Sequence, residues 1–208
     1  MKNLFTHQNQ KKSVEKIIIV SGLPRSGTSM MMKMLVEGGL SAVVDSFRKA
    51  DEDNPNGYFE FESSKNLKDG DKKWLYDARG KVVKVISYLL EFLPEDLSYD
   101  IIFMEREISE ILVSQQKMLK RRNETSMLSD VEMETKFHEH LRAVKYWATR
   151  KPNMRILFVK YSEMVDTPEN LCRSIVDFLE LPLDLKAMQS VPNQSLYRNR
   201  LYLEVNYV

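Results

Sequence analysis

Short continuous apolar runs alternate along this chain with longer segments of helical periodicity. The runs are IIIV (17 to 20), AVV (42 to 44), VVKVI (82 to 86), IIFM (101 to 104) and RILFV (155 to 159). Helical patterns cover 28 to 38, 107 to 121, about 132 to 150, and Pro168 to about Leu179. The last has a start signal: Thr167 in the N-cap position and Pro168 at the first helical residue, where a missing N–H costs nothing. Runs that are apolar throughout, rather than alternating, are buried on both faces, which belongs to a parallel sheet covered by helices. The pattern predicts an α/β fold: a three-layer α/β/α arrangement around a central, mainly parallel sheet of about five strands, P-loop-like at its first turn.

At 208 residues the chain is long enough for one core. The reading is a flexible polar lead-in over 1 to 15 and a single domain over 16 to 208. A net charge of +1 supplies no whole-chain field to draw the protein to nucleic acid or an anionic membrane, so any anion site is local. No segment approaches the run of about 20 apolar residues that a membrane span needs. Cys172 is the one cysteine and falls in an apolar helical stripe with Leu171, Ile175 and Phe178, which marks it as a packing residue. A reducing cytoplasm is the expected location.

The candidate chemistry begins at GLPRSGTS, residues 22 to 29, between the first run and the first helix. The spacing nearly fits the phosphate loop G-x-x-x-x-G-K-[ST], but Thr28 stands where an ATP or GTP enzyme carries lysine. A strand, a glycine turn and a helix N-terminus still converge backbone N–H groups on one point. Arg25 adds a cation inside the loop, and Ser26, Thr28 and Ser29 add hydroxyls.

Farther along, Arg106 follows the fourth run and Ser114 lies eight residues later. Along a helix that is roughly 12 Å, so the two meet at one ligand only if the helix folds back along the sheet. The pair GLPRSGTS and Arg-x7-Ser resembles the sulfotransferase family that uses 3′-phosphoadenosine-5′-phosphosulfate (PAPS) and releases the desulfonated nucleotide, PAP. The resemblance continues in KVVKVISYLLEFLPEDLSYDIIFMERE and in RILFVKYSEMVDTPENLCRSIVDFLELPLD, and spans about residues 16 to 185. It implies that Pro24, Arg25, Ser26, Gly27, Thr28 and Ser29 hold the 5′-phosphosulfate, while Arg106 and Ser114 hold the 3′-phosphate. It also explains the missing lysine, since this donor has no β- and γ-phosphates to bridge and calls for no metal there.

Sulfuryl transfer needs a base at the acceptor and cations at the leaving phosphate. Lys84 matches the family lysine on the third strand and Arg25 supplies a second cation. Where the aryl and steroid branch carries its basic histidine, two residues after that lysine, this chain has Ile86. The resemblance to other branches implies a carboxylate after the second strand. Glu60 is the first choice because it directly follows Gly57-Tyr58-Phe59; Glu62 shares its face on an extended segment. His140, flanking the stripe of Phe137, Leu141 and Val144, is a further candidate, whereas His138 points elsewhere and His7 lies in the lead-in. The family's Arg-Lys-Gly closing loop is absent, and Arg198 and Arg200 stand in a comparable place.

The function expected is transfer of a sulfuryl group from PAPS to a hydroxyl or amine of a small molecule or glycan. The alternatives are a nucleotide-dependent phosphotransferase or kinase, and an inactive nucleotide-binding relative. The polar segments 46 to 75 and 122 to 131 are expected over the site, with Phe47, Tyr58, Phe59, Phe61 and Trp74 facing the acceptor.

Overall fold

The computed structural model describes residues 16–45 and 57–200. The lead-in with His7, and Phe47 of the acceptor-side segment, lie outside the described residues. Four strands form one sheet in the order β2-β1-β3-β4: β1 Ile17–Gly22, β2 Val82–Lys84, β3 Tyr99–Glu105 and β4 Met154–Lys160. Every pairing is parallel, with Ile19 opposite Val83 and Ile101, and Phe103 opposite Phe158.

All six residues of β1 are buried, as the unbroken apolar run predicted. Successive side chains point to opposite faces. Ile18, Val20, Ile102 and Met104 therefore enter one core with α1 (Thr28–Glu37), α6 (Tyr161–Asp166) and α7 (Pro168–Leu179). Ile17, Ile19, Ile101 and Phe103 enter another, against α3 (Trp74–Asp77) and α5 (Asp130–Ala148). The three-layer α/β/α architecture is present. Short helices α2 (Glu62–Lys65) and α8 (Leu185–Gln189) complete it, with α4 (Ile108–Arg121) leading out of β3.

The expected strand count is corrected from about five to four among the described residues. Residues 42 to 44 contribute a single parallel bridge, Ala42 to Val82. Their two backbone bonds to β2, Val43 N to Val82 O and Val82 N to Ser41 O, end where Asp45 N turns instead to Glu60 O at 2.9 Å. The cap of α7 is also corrected. Thr167 occupies the N-cap position, but its side chain makes no cap and donates back to Glu163 O at 3.3 Å. Cys172 is buried as expected, and burial pushes its thiol up to about 11.

The strand order sets the site. β1 has β2 on one side and β3 on the other, so the chain reverses direction across the sheet beside β1. In such sheets a crevice opens beyond the carboxyl ends of the strands at that reversal. The loop after β1 lies there.

Candidate active site

β1 hands over to α1 through a loop whose glycines are required by close approach. Gly22 has φ +147°, and a Cβ there would lie 2.5 Å from Ser26 Oγ and 2.7 Å from the Met104 carbonyl. Gly27, the N-cap of α1, has φ +101°, and its Cβ would lie 2.4 Å from the Tyr161 ring. Arg25 takes the left-handed conformation at φ +71°, rare for a residue with a side chain. No side chain caps α1, and its first turn carries no acidic residue. The partial positive end of the helix, with its first N–H groups, thus opens onto a cavity of about 680 Å³.

Pro24, Arg25, Gly27, Thr28 and Ser29 all line that cavity. Ser26 does not. Its hydroxyl is buried behind the loop without a hydrogen-bond partner.

Arg106 and Ser114, eight residues apart, both meet Arg25 of the loop after β1. Arg25 Nε donates to Ser114 Oγ at 3.0 Å, and Arg106 Nη1 donates to the Arg25 carbonyl at 3.1 Å. Sequence reasoning missed what holds Arg106. Its Nε donates to Glu110 Oε2 at 3.0 Å in a pair whose side chains are 8% and 3% exposed. Tyr197 donates its hydroxyl to Glu110 Oε1 at 3.0 Å. The guanidinium lies 4.5 Å from the Tyr161 ring centre and 5.2 Å from that of Tyr197. Burial is the main reason both phenols titrate above their ordinary value. Arg106 and Glu110 are one helical turn apart, a spacing that signals an ion pair.

On the other side of α1, Lys84 at the end of β2 is 10% exposed and donates to Ser29 Oγ at 3.4 Å and to the Tyr58 carbonyl. Glu60 Oε1 lies 4.0 Å from Lys84 Nζ, and its other oxygen is 3.0 Å from Lys65 Nζ. Phe59, directly before Glu60, has φ +49°, a strained value for a bulky residue and a feature no sequence pattern announced. Glu60 lines the cavity; Glu62 opens α2 and pairs with Lys65 at 2.9 Å.

His140 is not among the cavity-lining residues. Its ring stacks on Tyr88 with centres 3.7 Å apart, and its Nε2 lies 2.8 Å from Ser87 Oγ. Burial lowers its pKa. Arg198 lines the cavity, whereas Arg200 Nη1 is bound to Asp166 at 2.9 Å and lies 5.0 Å from the Tyr197 ring centre.

The expected acceptor-side aromatics are corrected. Phe61 and Trp74, the first residue of α3, pack edge to face at 5.0 Å, half-buried against the core on that side of the sheet, and Phe59 packs against the core of α1. Only Tyr58 of the described set lines the cavity. Among the described residues seven cations line it against one carboxylate, Glu60, in a chain whose net charge is +1. That local excess suits a ligand with more than one anionic group.

The family model "Sulfotransferase family" matches residues 49–185. The match covers Glu60, Lys84, Arg106 and Ser114 and begins after the glycine loop. Among solved structures the fold is similar to the sulfotransferase domain from the Synechococcus PCC 7002 olefin synthase. The TM-score is 0.55 at 15% identity, over 86% of this chain and 78% of that one. It is also similar to the sulfotransferase domain from the curacin biosynthetic pathway, with TM-score 0.51 at 15% identity over 84% and 77%. A third similar fold is a mouse sulfotransferase complexed with PAP, with TM-score 0.50 at 18% identity over 86% and 63%. No curated protein matches the sequence.

Proposed function

This chain belongs to the sulfotransferase family, and from that premise we propose that its cavity binds PAPS and presents the sulfuryl group to a hydroxyl or amine acceptor. The observation that carries the reading is the meeting of two sequence-distant anion holders: Arg106 Nη1 on the Arg25 carbonyl, and Arg25 Nε on Ser114. A ligand with anionic groups at two separated points fits the donor set. The uncapped start of α1 also favours an anion at the loop. The mouse sulfotransferase of similar fold is complexed with PAP.

In this reading Gly27, Thr28 and Ser29, with Pro24 and Arg25, surround the 5′ end, Ser26 backs the loop, and Arg106, Ser114 and Arg198 hold the 3′-phosphate. When bound, PAPS supplies an activated sulfuryl group on a phosphate leaving group. Lys84 stands beside the loop through Ser29 and balances charge that collects on the departing phosphate. Glu60, whose carboxylate lies 4.0 Å from Lys84 Nζ on the cavity lining, takes the proton from the acceptor. His140, held between Tyr88 and Ser87 outside the cavity lining, has no direct part in the transfer.

Among the described residues no helix is long and apolar enough to cross a membrane. A cytoplasmic location and one domain over 16 to 208 remain part of the proposal, with the buried Cys172 thiol supporting a reducing compartment. The direct test is release of PAP from PAPS in the presence of a panel of hydroxyl and amine acceptors. Release that depends on acceptor, with no phosphate transfer from magnesium and ATP, supports the assignment; the reverse pattern overturns it.

A further inference from the structure

The cavity is not uniformly cationic. Beyond Lys84 the chain runs through Ile86 and Tyr88, which are 41% and 39% exposed, unusual for large apolar side chains, and both line the cavity. Across from them α4 contributes Met118 and α5 contributes Met133 and Phe137. The Tyr88 ring is held in a set orientation, stacked on His140 at 3.7 Å and 17° between planes, with the imidazole within hydrogen-bonding distance of Ser87. An exposed ring held this way beside a cavity is a prepared surface for a flat or rigid apolar group.

A second feature lies on the same helix. Ser114, Met118, Arg121 and Arg122 follow the three- and four-residue spacing that puts side chains on one face of α4, and all four line the cavity. Arg25 and Arg106 gather around Ser114, at the inner end of this strip. Arg121 and Arg122 sit about two turns farther out, roughly 11 Å along the axis, past Met118. A phosphate held at Ser114 already has its cations there. The outer pair lines the same cavity as the apolar residues, beyond Met118.

Resting on the sulfotransferase reading, we propose that the acceptor is a hydroxylated aromatic or alicyclic acid. Its ring system packs on Ile86, Tyr88 and Met133. Its anionic group is directed to Arg121 and Arg122, and its hydroxyl to Glu60. In the transfer the acceptor oxygen bonds to sulfur and its proton passes to the Glu60 carboxylate. The bond from sulfur to the bridging oxygen breaks, and its electron pair stays on the 5′-phosphate of PAP.

The test uses the full chain with PAPS and two matched probes, p-hydroxyphenylpropionate and its methyl ester, with glucuronate as a sugar acid whose ring is polar. The acid is expected to exceed the ester by about tenfold in kcat/KM, the size of one charge-assisted contact. Glucuronate is expected to be poor. The Arg121→Ala, Arg122→Ala double variant is expected to erase the preference for the acid while PAP affinity, read by calorimetry, stays within about twofold. Tyr88→Ala is expected to raise KM for both phenols. Equal use of acid and ester, preference for glucuronate, no turnover of either phenol by a chain that binds PAP, or a parallel loss of PAP affinity in the double variant each overturns the inference. A wild-type chain that fails to bind PAP overturns the underlying sulfotransferase reading instead.

Discussion

Arg106 donates to the carbonyl of Arg25 at 3.1 Å, across 81 residues of sequence. The contact ties the strand-end arginine to the glycine loop, so the two regions proposed to hold anions lie side by side. Arg106→Ala is expected to weaken PAP by about 1.5 to 3 kcal/mol, the worth of a charged hydrogen-bonding group. Adenosine monophosphate, which lacks the 3′-phosphate, should lose far less. Calorimetry with both nucleotides checks the difference, and equal losses would remove Arg106 from the 3′ end.

Glu110 is the buried counter-charge of that arginine. Glu110→Ala strands a guanidinium that is largely out of water and is expected to cost about 3 to 5 kcal/mol of stability, together with PAP affinity. Glu110→Gln keeps an acceptor for Arg106 and Tyr197 and is expected to recover most of the affinity. Urea unfolding and PAP titration on both variants separate the outcomes. If the glutamine variant is as damaged as the alanine one, charge rather than position is what Glu110 supplies.

Glu60→Gln removes the proposed base but not a nucleotide contact. Turnover is expected to fall by about 100-fold or more, the usual contribution of a positioned base, with PAP affinity nearly unchanged. Glu62→Gln, altering a carboxylate paired outside the cavity with Lys65, is expected to leave turnover near wild type. A larger defect at Glu62 than at Glu60 would reverse the assignment.

His140 gives a pH-dependent prediction. Burial lowers its pKa in the folded chain, so the unfolded chain binds more protons as the pH falls. Its contribution is fully present above the ordinary histidine value of about 6.5 and is lost as pH falls through the depressed folded value. Thermal unfolding at pH 7.5 and 5.5 should show a larger drop in Tm for wild type than for His140→Gln. Equal drops would contradict the account.

Much of this arrangement was legible in the sequence. Unbroken apolar runs announced the buried strands β1 and β3, and GLPRSGTS announced a strand, turn and helix start. The fifth strand was over-read because AVV has strand character in only two backbone bonds before Asp45 turns to Glu60. Phe61 and Trp74 were expected at the acceptor because aromatics in a polar segment look exposed, yet they pack on each other, half-buried against the core. The acceptor-side patch was hidden for the opposite reason. Ile86 stood out in the sequence only as the position of an absent histidine, and only the tertiary arrangement leaves it and Tyr88 exposed at the cavity. Glu110 carried a signal in its spacing from Arg106, but burial, which gives that pair its meaning, cannot be read from spacing alone.

The most direct measurement is calorimetric titration of the wild-type chain with PAP, adenosine monophosphate and ATP with magnesium. A cavity that grips both ends of a bisphosphorylated adenosine binds PAP at least about tenfold more tightly than adenosine monophosphate, the effect of one charge-assisted contact. Equal affinity for those two, or preference for ATP with magnesium, would contradict it.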